Sequence, residues 1–240
     1  PERLPDTARS SGFAQHGQPA MILVIFDCDG VLVDSEVLFN RVLADQLTAC
    51  GYPIDADSAI ERFTGMSMPS LMAVVESDLG HALPDGFAIA CRARANDVLD
   101  RDLQAIPGIG DVLDRHTGPR CVVSSSSSAR IRRSLETAGL IGHFADATLF
   151  SAAMVQHGKP APDLFLHAAG MMHAVPADCV VIEDSLPGAQ AAVAAGMTTL
   201  GFTGGSHIRD GHAGALRAIG VAAVFDDMSD LPALLGRYPL

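Results

Sequence analysis

Five apolar residues, Ile22 to Phe26, run without a polar break into Asp27-Cys28-Asp29-Gly30. A short aliphatic run of this kind is a strand covered on both faces, the pattern of a parallel sheet clad in helices. The carboxylates then emerge where the strand leaves the sheet, and the carboxyl ends of the strands are where open α/β sheets hold ligands. Two acids two residues apart point the same way if the strand continues, and they repel unless a cation lies between them. A hard divalent ion such as Mg²⁺, held by oxygen ligands and shared with a phosphate, meets that need. Read alone, the same four residues also suit a polar turn, because Asp and Gly are ordinary turn residues.

Two further apolar runs end in the same way. Arg120-Cys121-Val122-Val123 stops in Ser124, and Cys179-Val180-Val181-Ile182 stops in Glu183-Asp184. A hydroxyl and nearby backbone N–H groups at a strand tip hold a phosphate oxygen. Acids at another tip complete the shell of a divalent ion, with one or both as ligands. Each run has a plainer reading. The serines Ser124 to Ser128 also suit a flexible linker or the cap of a helix beginning near Ala129, a role open to Ser127 or Ser128. Asp184 or Ser185 likewise suits the cap of the Ala-rich helix that runs through Ala195. Lys159, in Gly158-Lys159-Pro160-Ala161-Pro162-Asp163, is the only lysine among 16 lysines and arginines. A compact ammonium sits between a carboxylate and a phosphoryl group as a point charge, where a planar guanidinium fits badly.

In this order the segments resemble the four motifs of the haloacid dehalogenase superfamily, the first being Asp27-Cys28-Asp29-Gly30-Val31-Leu32-Val33-Asp34-Ser35-Glu36. The resemblance covers about residues 21 to 226 and implies an α/β fold, a doubly wound parallel-sheet core of Rossmann-like type with an inserted α-helical cap domain. It implies Asp27 as nucleophile, Asp29 as general acid and base, and Ser124 and Lys159 as further catalytic groups. The implied cofactor is Mg²⁺, with ligands drawn from Asp27, Asp29, Glu183 and Asp184. Gly30, Ser124, Ser125, Ser126 and Lys159 are the implied phosphate-binding residues. Asp29 argues against the dehalogenases proper and the phosphonate-cleaving members, which lack this second acid.

The chain is most similar to the capped phosphatase and β-phosphoglucomutase branch, and there to phosphatases of 6-phosphogluconate and related sugar or polyol phosphates. In that branch the stretch Arg62-Phe63-Thr64-Gly65-Met66-Ser67-Met68 faces the site, which makes Arg62 and Met68 substrate-side candidates. Mutases of the branch carry a cation for a second phosphate near the position of Met68. Methionine binds no anion, so a sugar phosphomutase, with Arg62 as the substitute cation, is the alternative to a phosphatase. A non-catalytic phospho-acceptor or binding module is the second alternative. Response-regulator receivers, which also hold an aspartyl-phosphate, carry the phosphorylated Asp on a later strand and have no cap.

Between Ser35 and Ile106 the texture changes to helical spacing, in Val37 to Leu47, Ser70 to Leu79 and Ile89 to Leu99. The expected division is a Pro-, Gly-, Ser- and Gln-rich extension over 1–20 with Met21 as a start, a core over 21–34 and 106–240, and a cap over 35–105. Hinges are expected near 33–35 and 104–107. Further strands are expected near 120–124, 147–150, 179–183, 198–202 and 222–225, in alternation with helices.

A chain of 240 residues that is 48 % apolar has ample material for a core. Its net charge of −12 disfavours nucleic acid and anionic membranes as partners, and no apolar run approaches a membrane span. The five cysteines show no Cys-x-x-Cys pairing and suggest free thiols in a reducing cytoplasm. The expected partner is a small phosphorylated metabolite, and the expected state a monomer or weak dimer. Arg130-Ile131-Arg132-Arg133 reads as a solvated helix face. His207 and His212, in a loop after the 198–202 strand, are candidates for substrate contact.

Overall fold

The computed structural model describes residues 22–63 and 66–238. The expected extension over 1–20, Met21, and Thr64 and Gly65 of the substrate-side stretch lie outside the described residues. Six strands, β1 (Leu23–Phe26), β2 (Arg120–Ser124), β3 (Leu149–Ser151), β4 (Cys179–Glu183), β5 (Thr198–Phe202) and β6 (Ala223–Phe225), form one sheet of order β3-β2-β1-β4-β5-β6. All its pairs are parallel. The order reverses at β1, which has β2 on one side and β4 on the other, so a crevice opens at the carboxyl tips of these three strands. Register brings their tips level: Phe26 pairs with Val122 and with Ile182. The Asp27 amide extends the ladder by one bond, donating to the Ile182 carbonyl at 3.0 Å.

Ten α-helices occur among the described residues: α1 (Glu36–Ala49), α2 (Ala56–Phe63), α3 (Met68–Leu79), α4 (Phe87–Asp102), α5 (Ile109–Arg115), α6 (Ser128–Thr137), α7 (Asp163–Met171), α8 (Leu186–Ala194), α9 (His212–Ile219) and α10 (Leu231–Leu235). Successive strand residues feed opposite sides. Val24, Phe26, Val122 and Ile182 join one apolar cluster, with Ile109 and Leu113 of α5 and Ile131 and Leu135 of α6. Leu23, Ile25, Val123 and Val181 join another, with Phe165 and Ala168 of α7 and Ala191 and Ala192 of α8. Both faces are dry, which is why the strands read as unbroken apolar runs instead of alternating ones.

Helices α1 to α4 leave the sheet after β1 and carry the first cluster outward through Leu43, Leu47, Phe63, Val75 and Leu99. The segments that join this insertion to the sheet run side by side. Asp34 N donates to the Gln104 carbonyl and Ile106 N to the Leu32 carbonyl, both at 3.0 Å, and Val33 bridges Ala105. The three helical stretches read from spacing are α1, α3 and α4. The eight-residue α2, which buries Ala59, Ile60 and Phe63, is too short to show a period. The strand expected at 147–150 starts later, because Asp146–Thr148 forms a 3-10 turn and β3 runs Leu149–Ser151.

Helix capping falls to Ser127, whose Oγ accepts from Arg130 N at 3.4 Å, and to Ser185, whose Oγ accepts from Gly188 N at 3.1 Å. Ser124 and Asp184 are thereby left for other contacts. The face at Arg130 to Arg133 is solvated, with Arg132 and Arg133 side chains 39 % and 60 % exposed, and its side chains also reach partners. Arg133 binds both carboxylate oxygens of Asp100 on α4, at 2.8 and 2.9 Å, and Arg130 donates to Asn96 Oδ1. Arg132 pairs with Asp146. No helix among the described residues is long and apolar enough to cross a membrane, and Cys28, Cys50, Cys91, Cys121 and Cys179 are free thiols.

Candidate active site

At the tips of β1 and β4 the Lys159 ammonium lies between two carboxylates, 2.6 Å from Asp27 Oδ1 and 2.6 Å from Glu183 Oε1. All three side chains are buried. Burial alone would lower the lysine pKa, but Asp27 and Glu183 raise it above its ordinary value, so it stays charged. Glu183 Oε2 accepts from the Ser185 amide at 2.8 Å and from Ser185 Oγ at 3.1 Å. Both Glu183 oxygens are engaged, one of them by Lys159.

Asp27, Glu183 and Asp184 each offer an oxygen within 4.8 Å of the others. Burial pushes the Asp27 carboxyl well above the ordinary 3.8; Lys159 opposes the shift, and Glu183, Asp184 and Asp29 add to it. Asp184 is pushed up by burial first and by Glu183 and Glu36 next. One ammonium among three buried acids leaves an excess of negative charge that a further cation would offset. Asp184 Oδ1 is buried and has no hydrogen-bond partner among the described residues. An orphaned carboxylate oxygen beside other hard oxygen donors fits Mg²⁺.

The Asp29 carboxylate lies outside that group of three acids. Hydroxyls hold it instead: Oδ1 accepts from Ser35 Oγ at 2.7 Å, and Oδ2 from Ser126 Oγ at 3.0 Å and Ser124 Oγ at 3.4 Å. Cys28, between the two aspartates, is fully buried in the core, and burial pushes its thiol well above the usual range. At Gly30 the backbone is left-handed, φ 92°, and a Cβ would lie 2.0 Å from Asp184 Oδ2. Only glycine lets the first loop approach Asp184 so closely.

Residues 21–196 match the family described as haloacid dehalogenase-like hydrolase. The chain belongs to that family. Its similarity to the 6-phosphogluconate phosphatase of Escherichia coli is 34 % identity over 185 residues, 77 % of this chain and 83 % of that protein. A conserved haloacid dehalogenase-like protein of unknown function from Agrobacterium tumefaciens superposes with a TM-score of 0.84 at 40 % identity, covering 90 % of this chain and 98 % of that one. A HAD family hydrolase from Deinococcus radiodurans, solved with bound phosphate and sodium, superposes with a TM-score of 0.78 at 30 % identity, covering 92 % and 97 %. The chain is a phosphoric monoester hydrolase of the haloacid dehalogenase type.

The two substrate-side candidates of this haloacid dehalogenase-like hydrolase, Arg62 and Met68, have partners within the α1–α4 insertion. The Arg62 guanidinium is taken up by Asp78 and the Tyr52 hydroxyl, with the Tyr52 and Phe63 rings 5.7 and 5.5 Å away. Met68 opens α3 and packs against the apolar core. Ser125 is exposed beside the buried Ser124. His207 and His212 both turn to Asp184: His207 Nε2 lies 3.0 Å from Oδ2, and His212 Nε2 lies 2.6 Å from the main-chain oxygen. Burial pushes the His207 imidazole below the ordinary 6.5.

Three contributors carried no assigned role in the sequence reading. Ser35 donates to Asp29, and Glu36, beside it, is a half-buried carboxyl raised by burial and by Asp29. Both stand inside the first motif, which was their signal. Ser151 Oγ donates to the Ser126 carbonyl at 2.7 Å and pins the serine loop. It ends β3 in a hydroxyl, as Ser124 ends β2.

A Cβ added at Gly188, inside α8, would lie 1.4 Å from Glu183 Oε1. In an ordinary helix Gly→Ala stabilises by about 1 kcal/mol. Here Gly188→Ala should destabilise by roughly 1–3 kcal/mol, as overpacking does, and reduce turnover by displacing Glu183 from Lys159. Urea denaturation with an activity assay checks both, and a stabilised, fully active variant would contradict the packing described.

The raised acids also set a pH dependence. A native state that keeps protons the unfolded chain has released loses stability as pH rises through the native pKa values. In EDTA, thermal stability should therefore carry a component from Asp27 and Asp184 that falls as pH is raised above about 4. Melting curves across pH should show less of this decline in Asp184→Asn, and an unchanged slope would contradict a desolvated Asp184.

Proposed function

We propose that this hydrolase is a Mg²⁺-dependent phosphatase of a small monoester, a sugar, polyol or sugar-acid phosphate, acting through an aspartyl-phosphate on Asp27. The observation that carries the reading is the buried Asp27–Lys159–Glu183 arrangement at the tip of β1, beside an Asp29 carboxylate held by hydroxyls. Lys159 keeps Asp27 oriented and offsets charge on a phosphoryl group brought to it. A carboxylate oxygen of Asp27 attacks phosphorus in line as the bond to the ester oxygen breaks, and Asp29 delivers its proton to the departing alkoxide. Asp29, now a base, takes a proton from the water that attacks the aspartyl-phosphate, which returns Asp27 and releases inorganic phosphate. Asp27 and Asp184 would hold Mg²⁺, which supplies charge neutralisation for the transferring group. Ser124, Ser126 and the backbone after Gly30 complete the phosphate surroundings.

Residues 35–105 act in this reading as a cap over a core of 21–34 and 106–240, closing to exclude bulk water and to contact the leaving group. The paired segments around Val33 and Ala105 are the hinge. The similarity to a 6-phosphogluconate phosphatase supports a sugar-acid or sugar phosphate as substrate. The mutase alternative needs a second cation on the cap side, and its candidate Arg62 is paired with Asp78. Free thiols support a reducing cytoplasm, with a monomer or weak dimer as the working state.

Phosphate release from a panel of sugar, polyol and sugar-acid monoesters, with Mg²⁺ and with EDTA, tests this reading, with glucose 1-phosphate isomerisation run alongside. Mg²⁺-dependent release concentrated on one substrate class is expected. Isomerisation without net release would replace the phosphatase with a mutase, and no turnover would leave a binding role.

A further inference from the structure

We infer that His207 and His212 are positioning residues that clamp Asp184 from the loop between β5 and α9, one through its carboxylate and one through its main-chain carbonyl. Together they present the free Oδ1 of Asp184 to the divalent cation, and in this the inference rests on the Mg²⁺ reading of the site. His212, the first residue of α9, donates from Nε2 to the Asp184 oxygen at 2.6 Å. His207 brings Nε2 to 3.0 Å from Asp184 Oδ2. Its other ring nitrogen, Nδ1, is buried without a partner among the described residues, so Asp184 Oδ2 is the polar atom the ring faces.

An unpartnered buried ring nitrogen is costly, and an apolar side chain would fill the space without that cost. The slot is also specific for the ring. A Cβ at Gly205 would come within 2.9 Å of both His207 Cε1 and Nδ1, and one at Gly30 within 3.0 Å of Cε1. His207 is thus wedged between the first loop and its own loop with Nε2 at Asp184. Ser206 N, donating to Asp34 Oδ1 at 3.3 Å, anchors the loop to the same region. Neither histidine hydrogen-bonds Asp27 or Asp29, so they act through Asp184. With the imidazole against Oδ2, rotation of the carboxylate is restricted and Oδ1 is the oxygen left for a metal.

The test is calorimetric titration of substrate-free protein with Mg²⁺, with melting temperatures in EDTA measured on the same samples. His207→Leu and His212→Ala should each weaken Mg²⁺ binding by roughly 10–100-fold, the usual cost of removing a group that orients a ligand. His207→Gln, whose amide nitrogen reaches about as far as Nε2, should recover most of the loss. A packing role alone would lower the melting temperature in EDTA and leave Mg²⁺ affinity at the wild-type value, and that result in a folded variant would overturn the clamp. If His207→Leu does not fold, His207→Asn against His207→Gln makes the same comparison, since only the longer amide spans the gap; equal affinities would overturn it. Wild-type protein that takes up no Mg²⁺ would strike the metal reading itself, whereas normal wild-type uptake with unshifted variants would strike only the clamp.

Discussion

Asp27→Asn should lose turnover by a factor on the order of 10⁴ or more while keeping the fold, because the amide has the shape of the carboxylate but does not attack phosphorus. The asparagine still meets Lys159 through its carbonyl oxygen, and Lys159 keeps Glu183 at 2.6 Å, so no buried charge is stranded. Circular dichroism and a melting curve should match wild type, with phosphate release at background. A folded Asp27→Asn protein with substantial turnover would remove Asp27 as nucleophile.

Lys159→Met should have the largest effect on stability of any single change at the site. It leaves Asp27 and Glu183 buried without the cation that lies 2.6 Å from each. Breaking a buried ion pair by removing one partner costs about 3–5 kcal/mol. For a chain of this size that corresponds to a melting temperature lower by roughly 6–20 °C. The sign of its pH dependence follows from Asp27, whose carboxyl is already raised by burial and loses the opposing effect of Lys159 in the variant. The deficit should shrink as pH is lowered and the carboxyl takes up a proton, and a deficit that grows toward acid pH would contradict the assignment. Lys159→Arg should not restore activity, because a planar guanidinium does not sit as a point between the two acids.

The three central strands β2, β1 and β4 were legible because each is dry on both sides and therefore reads as an apolar run. Their acidic or hydroxyl endings were legible for a related reason: Asp27, Ser124 and Glu183 follow directly where such runs stop. What spacing does not carry is which face meets which. Arg62 looked free for substrate until α3 brought Asp78, 16 residues away, against it. Arg133 is solvent-exposed as expected, but its pairing with Asp100 of α4, 33 residues earlier, was not visible in the spacing. The roles of His207 and His212 depend on a loop after β5 folding back onto the tip of β4, and Ser35 reaches Asp29 only because the chain turns sharply at Gly30. Local periodicity constrains elements, whereas these contacts belong to the packing of elements against one another.

The most direct measurement is to quench the enzyme during turnover, reduce it with borohydride and map the product by peptide mass spectrometry. An acyl-phosphate is reduced at its carbonyl carbon, so an aspartyl-phosphate on Asp27 predicts homoserine at that position, dependent on substrate and lost in Asp27→Asn. Conversion at a different acid, or turnover with no acid converted under conditions that trap a known acyl-phosphate, would contradict an aspartyl-phosphate on Asp27.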